Sequence, residues 1–277
     1  MRVRAALLTL LASVILAVAA PPMQAALVAW DDFESHAAGS GLSGGAGGAG
    51  WTSNWSADPG VLVQNAQVDQ GGSRSAEIAG AVNSVSVANR SFATRTTTTY
   101  FSVRIEAVAG LENSDFLHFY LGNSTSTING NNNSGGVGLL STTTSFLGTR
   151  VGTSNGGTTV SSSTTAIQGT TYLLVGKLWK DGSSNFNRID LFIDPASSTE
   201  PVTANATQTG DSGLGGISVF GVRSFNFDSG DIYQFDSVRI GTTFADVIPE
   251  PASAALLLGG VLACLNRRRG PSPNAVA

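Results

Sequence analysis

Alternation with a period of two recurs through the middle of this chain, and no long stretch between its ends carries the ~3.6-residue period of an amphipathic helix. From Tyr100 to Val108, Phe101, Val103 and Ile105 share one face while Ser102, Arg104 and Glu106 share the other. In Asp115 to Gly122, Leu117, Phe119 and Leu121 lie opposite Phe116, His118 and Tyr120, which predicts a strand covered on both sides. Tyr172 to Trp179 is apolar in both phases, as in the middle of a sandwich. Arg188 to Asp194 alternates strictly, with Ile189, Leu191 and Ile193 inward and Arg188, Asp190 and Asp194 outward, and Asp194-Pro195 stops it. Ile217 to Phe225 and Asp231 to Phe244 complete the strand candidates, and the apolar phase slips between Phe235 and Val238, predicting a bulge near Asp236-Ser237.

Thr and Ser tracts such as Thr96 to Thr99, Thr142 to Ser145 and Ser161 to Thr165 favour strands or exposed loops. The connections are rich in Gly, Asn and Ser, notably Gly39 to Gly50, Asn129 to Gly136 and 154–157. Many short strands between turn signals predict an all-β fold, an antiparallel sandwich of two packed sheets. No internal repeat is evident, which argues against a propeller or solenoid.

Charge then narrows the function. Residues 26–247, the predicted sandwich domain, hold ten basic side chains against eighteen acidic ones, a net of -8, with the remaining arginines confined to the ends. Such a domain offers no electrostatic footprint for a phosphate backbone, so nucleic-acid binding is excluded. With Cys264 the single cysteine, there is neither an intrachain disulfide nor a cysteine-based zinc site.

Both ends read as addresses. Residues 1–25 have the pattern of a secretory signal peptide: Arg2 and Arg4, then an uncharged apolar run from Ala5 to Ala20, then small residues offering cleavage after Ala19 or after Ala25. That implies a Sec-type translocon and signal peptidase as partners. At the other end, Pro249-Glu250-Pro251 precedes an uncharged, mostly apolar run from Ala252 to Leu265 and the cluster Arg267-Arg268-Arg269. Prolines cannot continue a helix, the apolar run can partition into a bilayer although it is short for a ~30 Å core, and arginines stop transfer on the cytoplasmic side.

This order of tripeptide, short apolar helix and basic cluster resembles the PEP-CTERM sorting signal of bacterial envelope proteins. The resemblance covers 248–269, leaving a tail at 270–277. It implies that Pro249, Glu250 and Pro251 are recognised by an exosortase, that Arg267, Arg268 and Arg269 stop transfer, and that the protein reaches the cell envelope or extracellular matrix after passing through the membrane.

Within the domain, Trp30-Asp31-Asp32-Phe33-Glu34, Gly50-Trp51-Thr52-Ser53-Asn54-Trp55 and the closing Phe235-Asp236-Ser237-Val238-Arg239-Ile240-Gly241 are similar to concanavalin A-like (laminin-G-like) modules. Tyr172 to Lys177 and Ile189 to Pro195 extend the likeness. The resemblance implies a jelly-roll sandwich with its first and last strands side by side, and activities that range from lectins to glycanases to adhesive modules.

Little in the domain reads as catalytic. Gly45 to Gly50 matches G-x-G-x-x-G, but Trp51 ends the run and no helix pattern follows, so it reads as a loop. Asp190 and Asp194, four apart on one strand, would stand about 13 Å apart at ~3.3 Å per residue, too far for a retaining glycosidase pair. His118 reads as a packed sheet residue, His36 as a loop surface residue, and Trp179 as core. No motif implies a cofactor. Calcium is the one candidate, with Asp31, Asp32, Asp58, Asp228, Asp231 and Asp236 as hard oxygen donors. Trp51 and Trp55 are the candidate stacking platform for sugar rings. The reading is therefore a non-catalytic surface module for extracellular polysaccharide, with a divergent glycan hydrolase or lyase as the alternative.

Overall fold

The computed structural model describes residues 27–249 except 67, 69–71, 81–84, 126–132, 141–142 and 154–157. The signal-peptide segment, Glu250, Pro251, Cys264 and Arg267 to Arg269 lie outside the described residues, and Pro249 is the last residue within them. Among the described residues, no helix is long and apolar enough to cross a membrane.

Among the described residues, fifteen strands form two antiparallel sheets packed as a sandwich. The eight-stranded sheet runs β13 (Ala206–Thr209), β12 (Arg188–Ile193), β11 (Thr171–Trp179), β6 (Thr99–Ala109), β15 (Ile232–Gly241), β4 (Ser75–Ala79) and β3 (Val61–Gln64), with β1 (Ala29–Asp31) also on β15. The seven-stranded sheet runs β10 (Thr158–Thr165), β9 (Phe146–Gly152), β8 (Ser134–Leu139), β7 (Phe116–Gly122), β14 (Ile217–Phe225), β5 (Val87–Arg95) and β2 (Ser56–Ala57). β1 pairs with β15, so the first and last strands are neighbours, as the sequence resemblance implies.

The alternation dictates which side chains enter the core. Phe101, Val103 and Ile105 from β6 meet Phe119 and Phe220 from the opposite sheet. Phe220 stands at the centre, 6.3 Å from Phe101, 6.5 Å from Phe119 and 6.3 Å from Trp55 between ring centroids. Rings of this size bury the most apolar area per residue, and tilted or edge-on contacts suit their quadrupoles. All seven residues of β7 are buried, as the doubly apolar pattern predicts.

β11 is also covered on both faces. Its outward Leu173 and Val175 join Tyr100 and Phe192 in a second apolar cluster, roofed by α1 (Phe244–Val247). Phe244 packs edge-on at 5.2 Å from Phe192, and Ser102 Oγ donates to the Val247 carbonyl at 2.6 Å. The sequence run from Asp231 to Phe244 thus ends as a strand at Gly241, and Phe244 belongs to a helical turn instead. That turn is held by Asp246 Oδ2, which accepts from the Thr242 and Thr243 amides, each at 2.8 Å.

The predicted bulge is present. The β15–β6 register shifts between Asp236 and Arg239, and Ser237 takes φ 51°. It falls where β15 exchanges one neighbour for another: Ile232 to Phe235 pair with β4, and Val238 to Ile240 pair with β1. A bulge suits this position because one strand must serve two neighbours of different register.

Candidate functional site

The tryptophans singled out in the sequence are structural. Trp55 is 2% exposed, and its indole N–H donates to Asp31 Oδ2 at 2.8 Å. Trp51 donates to the Trp30 carbonyl at 2.8 Å, with the Arg90 guanidinium 5.0 Å over its ring. A sugar-stacking platform needs an exposed ring face, so the buried Trp55 does not fit that role, and Trp51 has its face taken by Arg90.

Trp55 belongs to a buried hub built on Asp31, and the half-buried Trp51 packs against it. Arg90 Nη1 lies 2.7 Å from Asp31 Oδ2, and His36 Nε2 lies 3.2 Å from the same atom. The Phe33 amide donates to Oδ1 at 3.0 Å. Burial works to raise the Asp31 pKa, but the bonds from His36 and Trp55, the charge on His36 and the Phe33 amide together hold it below the usual carboxylate range. His36 is therefore buried against a carboxylate, where the sequence reading placed it on a loop surface. Arg90 also donates to the Gly47 carbonyl, fixing the glycine loop. Gly48 and Gly50 lie against β1 at φ 71° and 78°, where a Cβ would come within 1.9 Å of the Trp30 carbonyl and 2.1 Å of the Val28 carbonyl. The loop is glycine-rich for packing and not for phosphate.

Of the acids read as calcium donors, Asp31, Asp32 and Asp236 line one cleft, Asp228 and Asp231 share a turn, and Asp58 lies beside Val87. Asp31 serves the hub, and Asp58 accepts the Val87 amide at 2.8 Å. Asp228 and Asp231 share a turn in which Asp231 Oδ2 accepts the Asp228 amide. Asp32 and Asp236 line a cleft of about 220 Å³ with Glu34, at the place where β15 changes neighbours. Glu34 is already engaged there by the Ser73 amide at 2.6 Å, the Ser73 hydroxyl at 2.8 Å and the Arg74 amide at 2.8 Å. Among the described residues, no group of three or more His, Cys, Asp or Glu side chains is arranged to hold a metal ion.

Trp179 and Asp190 also have defined places. Trp179 is half-buried on the outer face of the eight-stranded sheet, not in the core, with Lys177 Nζ 5.4 Å and Arg188 Cζ 4.8 Å from its ring. Its indole donates to Asp190 Oδ2 at 2.8 Å, and Thr207 donates to Oδ1 at 2.6 Å. Asp194, exposed and at φ 47°, accepts the Leu173 amide at 2.7 Å, whereas Asp190 is buried.

A different surface gathers buried polar atoms without a hydrogen-bond partner among the described residues. On the outer face of the seven-stranded sheet, backbone pairing sets Asn89, Gly221, Tyr120, Gly136 and Arg150 in one row across five strands. The next row carries Arg223 and His118, flanked by Gly138 and Gly148. The glycines make room for the rings. A Cβ on Gly136 would lie 2.4 Å from His118 Nε2, and one on Gly221 would lie 2.4 Å from Tyr120 Oη. Both rings therefore lean over neighbouring strands, with centroids 5.4 Å apart.

Asn89 Oδ1, Tyr120 Oη, His118 Nε2 and Arg223 Nε are buried and have no hydrogen-bond partner among the described residues. Buried polar atoms are nearly always satisfied, and an unpaired one costs about 1–3 kcal/mol, so four on one face call for a function. Burial, followed by the charges of Arg150 and Arg223, drives the His118 pKa well below its ordinary value and leaves the imidazole neutral at pH 7. Burial pushes the Tyr120 hydroxyl up to about 12, so it stays protonated. The face thus offers a neutral imidazole, a phenol, an amide oxygen and two guanidiniums. The sequence reading missed Asn89, Tyr120, Arg150 and Arg223. The residues of the two rows come from five separate strands, so no sequence spacing links them.

No protein-family model matches this chain, and no curated protein matches it in sequence. Solved structures similar to it include an endo-β-1,4-glucuronan lyase from the fungus Trichoderma reesei, at 14% identity over 80% of this chain and 98% of that one, TM-score 0.46. A carbohydrate-binding module from Bacillus subtilis shares 14% identity over 68% of this chain and 95% of its own, TM-score 0.44. Domain 4 of an extracellular arabinanase from Geobacillus stearothermophilus, solved with arabinotriose, shares 12% identity over 80% and 98%, TM-score 0.47. At these scores the likeness carries no argument about what this chain binds.

Proposed function

We propose that the chain is an exported, surface- or matrix-sorted module that binds extracellular polysaccharide without cleaving it, through the outer face of the seven-stranded sheet. The observation that carries this reading is the concentration of unpartnered buried polar atoms on two adjacent rows, beside the rings of Phe116, His118 and Tyr120. Carbohydrate recognition combines hydroxyl-directed hydrogen bonds with ring faces, and this face supplies both. The row from Asn89 to Arg150 crosses five strands, about 19 Å at ~4.8 Å between neighbours, which suits a chain-like ligand better than a single sugar.

A hydrolase of the alternative reading needs two carboxylates roughly 5 to 10 Å apart. Neither row contains Asp or Glu. The export and sorting parts of the proposal rest on the sequence patterns at 1–25 and 248–269 alone.

The test is a pull-down of the full chain on a panel of polysaccharides, scoring retention together with release of new reducing or unsaturated ends. Retention without release, weakened by Asn89→Ala and Tyr120→Phe but not by Trp179→Ala on the opposite face, is the expected result. Release of new ends would overturn the non-catalytic reading, and retention indifferent to the Asn89 and Tyr120 variants would overturn the assignment of the face.

A further inference from the structure

The two rows also state what charge the ligand carries. In a domain where eighteen acids face ten bases, a basic side chain should find a carboxylate or carbonyl easily. Five of the ten do. Arg90 pairs with Asp31, Lys177 with Glu200 and Arg188 with Asp181, while Arg74 and Lys180 donate to backbone carbonyls. Arg150 and Arg223 are different. Among the described residues neither makes an ion pair or a hydrogen bond; their contacts are with rings. Arg150 Cζ lies 5.9 Å and Arg223 Cζ lies 5.5 Å from the centroid of the same ring, Phe116, so the two cations approach it together.

Like charges held near one another repel, and partial burial adds a desolvation cost. Both guanidinium pKa values are lowered by burial, and that of Arg223 is lowered further by Arg150. The arrangement is unfavourable in the free protein and becomes favourable once an anion sits between or upon the two forks. A guanidinium presents planar paired donors that match the two oxygens of a carboxylate or a sulfate, which makes arginine the side chain for this purpose. His118 and Tyr120 stand beside them with a neutral imidazole and a protonated hydroxyl, both able to bond sugar oxygens.

From this geometry we infer that Arg150 and Arg223 form an anion subsite on the polysaccharide-binding face, and that the ligand is an acidic glycan bearing a carboxylate or sulfate on the sugar bound between them. The inference rests on the sheet-face reading above and adds the chemical class of the ligand. The unpaired arginines give specificity against neutral glycans, because a ligand without an anion would leave both of them desolvated and unpaired.

The experiment measures binding of the full chain to polygalacturonate, dextran sulfate and neutral dextran at several salt concentrations. The protein is compared with Arg150→Gln, Arg223→Gln and, as a control on the opposite sheet, Arg188→Gln. Among the described residues both site arginines have ring contacts but no hydrogen bond or ion pair, so their loss should not unfold the protein; a melting curve checks this. The expected result is binding to an acidic polymer that weakens with salt and falls about tenfold or more for each site arginine removed, with Arg188→Gln unchanged. Whichever acidic polymer is bound identifies the anion as carboxylate or sulfate. Equal binding of neutral dextran, unaffected by Arg150→Gln or Arg223→Gln, would overturn the anion subsite and leave the sheet-face reading standing. Retention of no polymer, acidic or neutral, would overturn both.

Discussion

Arg90 Nη1 sits 2.7 Å from Asp31 Oδ2 with both side chains closed off from solvent, and this pair ties β5 of one sheet to β1 of the other. Arg90 projects to the same side as its register partner Phe220, into the sandwich interior. Removing one partner of a buried pair leaves an uncompensated charge, which costs about 3–5 kcal/mol. Asp31→Ala is therefore expected to lower the urea unfolding free energy by about that amount. Asp31→Leu combined with Arg90→Met should recover part of the loss, because an apolar pair of similar volume carries no desolvation cost. A double variant less stable than either single one would contradict this account of the hub.

Acid stability follows from the same groups. Burial acts to raise the pKa of Glu34, but the Ser73 amide and hydroxyl, the Arg74 amide and the Arg74 charge hold it below the ordinary value, as their counterparts do for Asp31. A carboxylate with a depressed folded pKa contributes its full stabilisation above the unfolded pKa, about 4, and loses it as pH falls through the folded value. Unfolding free energy should hold from neutral pH down to ~4 with respect to these two groups and decline below that. In Asp31→Asn the decline should be shallower, and denaturation curves at stepped pH read it directly.

Tyr120→Phe separates function from stability. The hydroxyl is buried with no partner among the described residues, so deleting it should leave the melting temperature unchanged or raise it, corresponding to up to about 1–3 kcal/mol of relieved desolvation. Polysaccharide retention should fall at the same time. A drop in stability would mean that the hydroxyl is a structural anchor.

Phe244→Ala tests the roof over the outer face of the eight-stranded sheet. Phe244 is buried at 4% exposure between Tyr100 and Phe192, at 6.1 Å and 5.2 Å between centroids. Truncation should cost about 3 kcal/mol, the lower end for a buried Phe, because the cluster is peripheral and can partly collapse. Glycan binding on the other sheet should be unaffected, as separate measurements of unfolding and retention would show.

The strands with clean alternation or with apolar residues in both phases were legible in sequence: β6, β7, β11, β12, β14 and most of β15, together with the bulge at Asp236-Ser237. Those patterns depend only on which residues face the core. β5 was not legible, because Asn89, Arg90 and Ser91 break the apolar phase, and Arg90 faces inward only because Asp31 neutralises it from another strand. β8, Ser134–Leu139, is glycine-rich and resembled a loop; the His118 ring takes the space beside Gly136, the Leu178 side chain that beside Gly135, and the backbone of β7 that beside Gly138. His36 looked like a surface residue because its partner, Asp31, lies on the preceding strand and nothing in the intervening loop marks the burial.

The all-β class and the two covered central strands follow from the sequence by itself, since side-chain periodicity is a local property of the chain. Tertiary structure alone decided which polar residues are paired and which are left over. Of Trp51 and Trp55, conspicuous in sequence, Trp55 is consumed by the Asp31 hub and Trp51 packs against it. Arg150 and Arg223, inconspicuous there, are brought to one ring from two strands separated in the sheet by β7 and β8. Whether a charge is satisfied depends on what stands opposite it in space, and pairing between strands distant in sequence is what settles that.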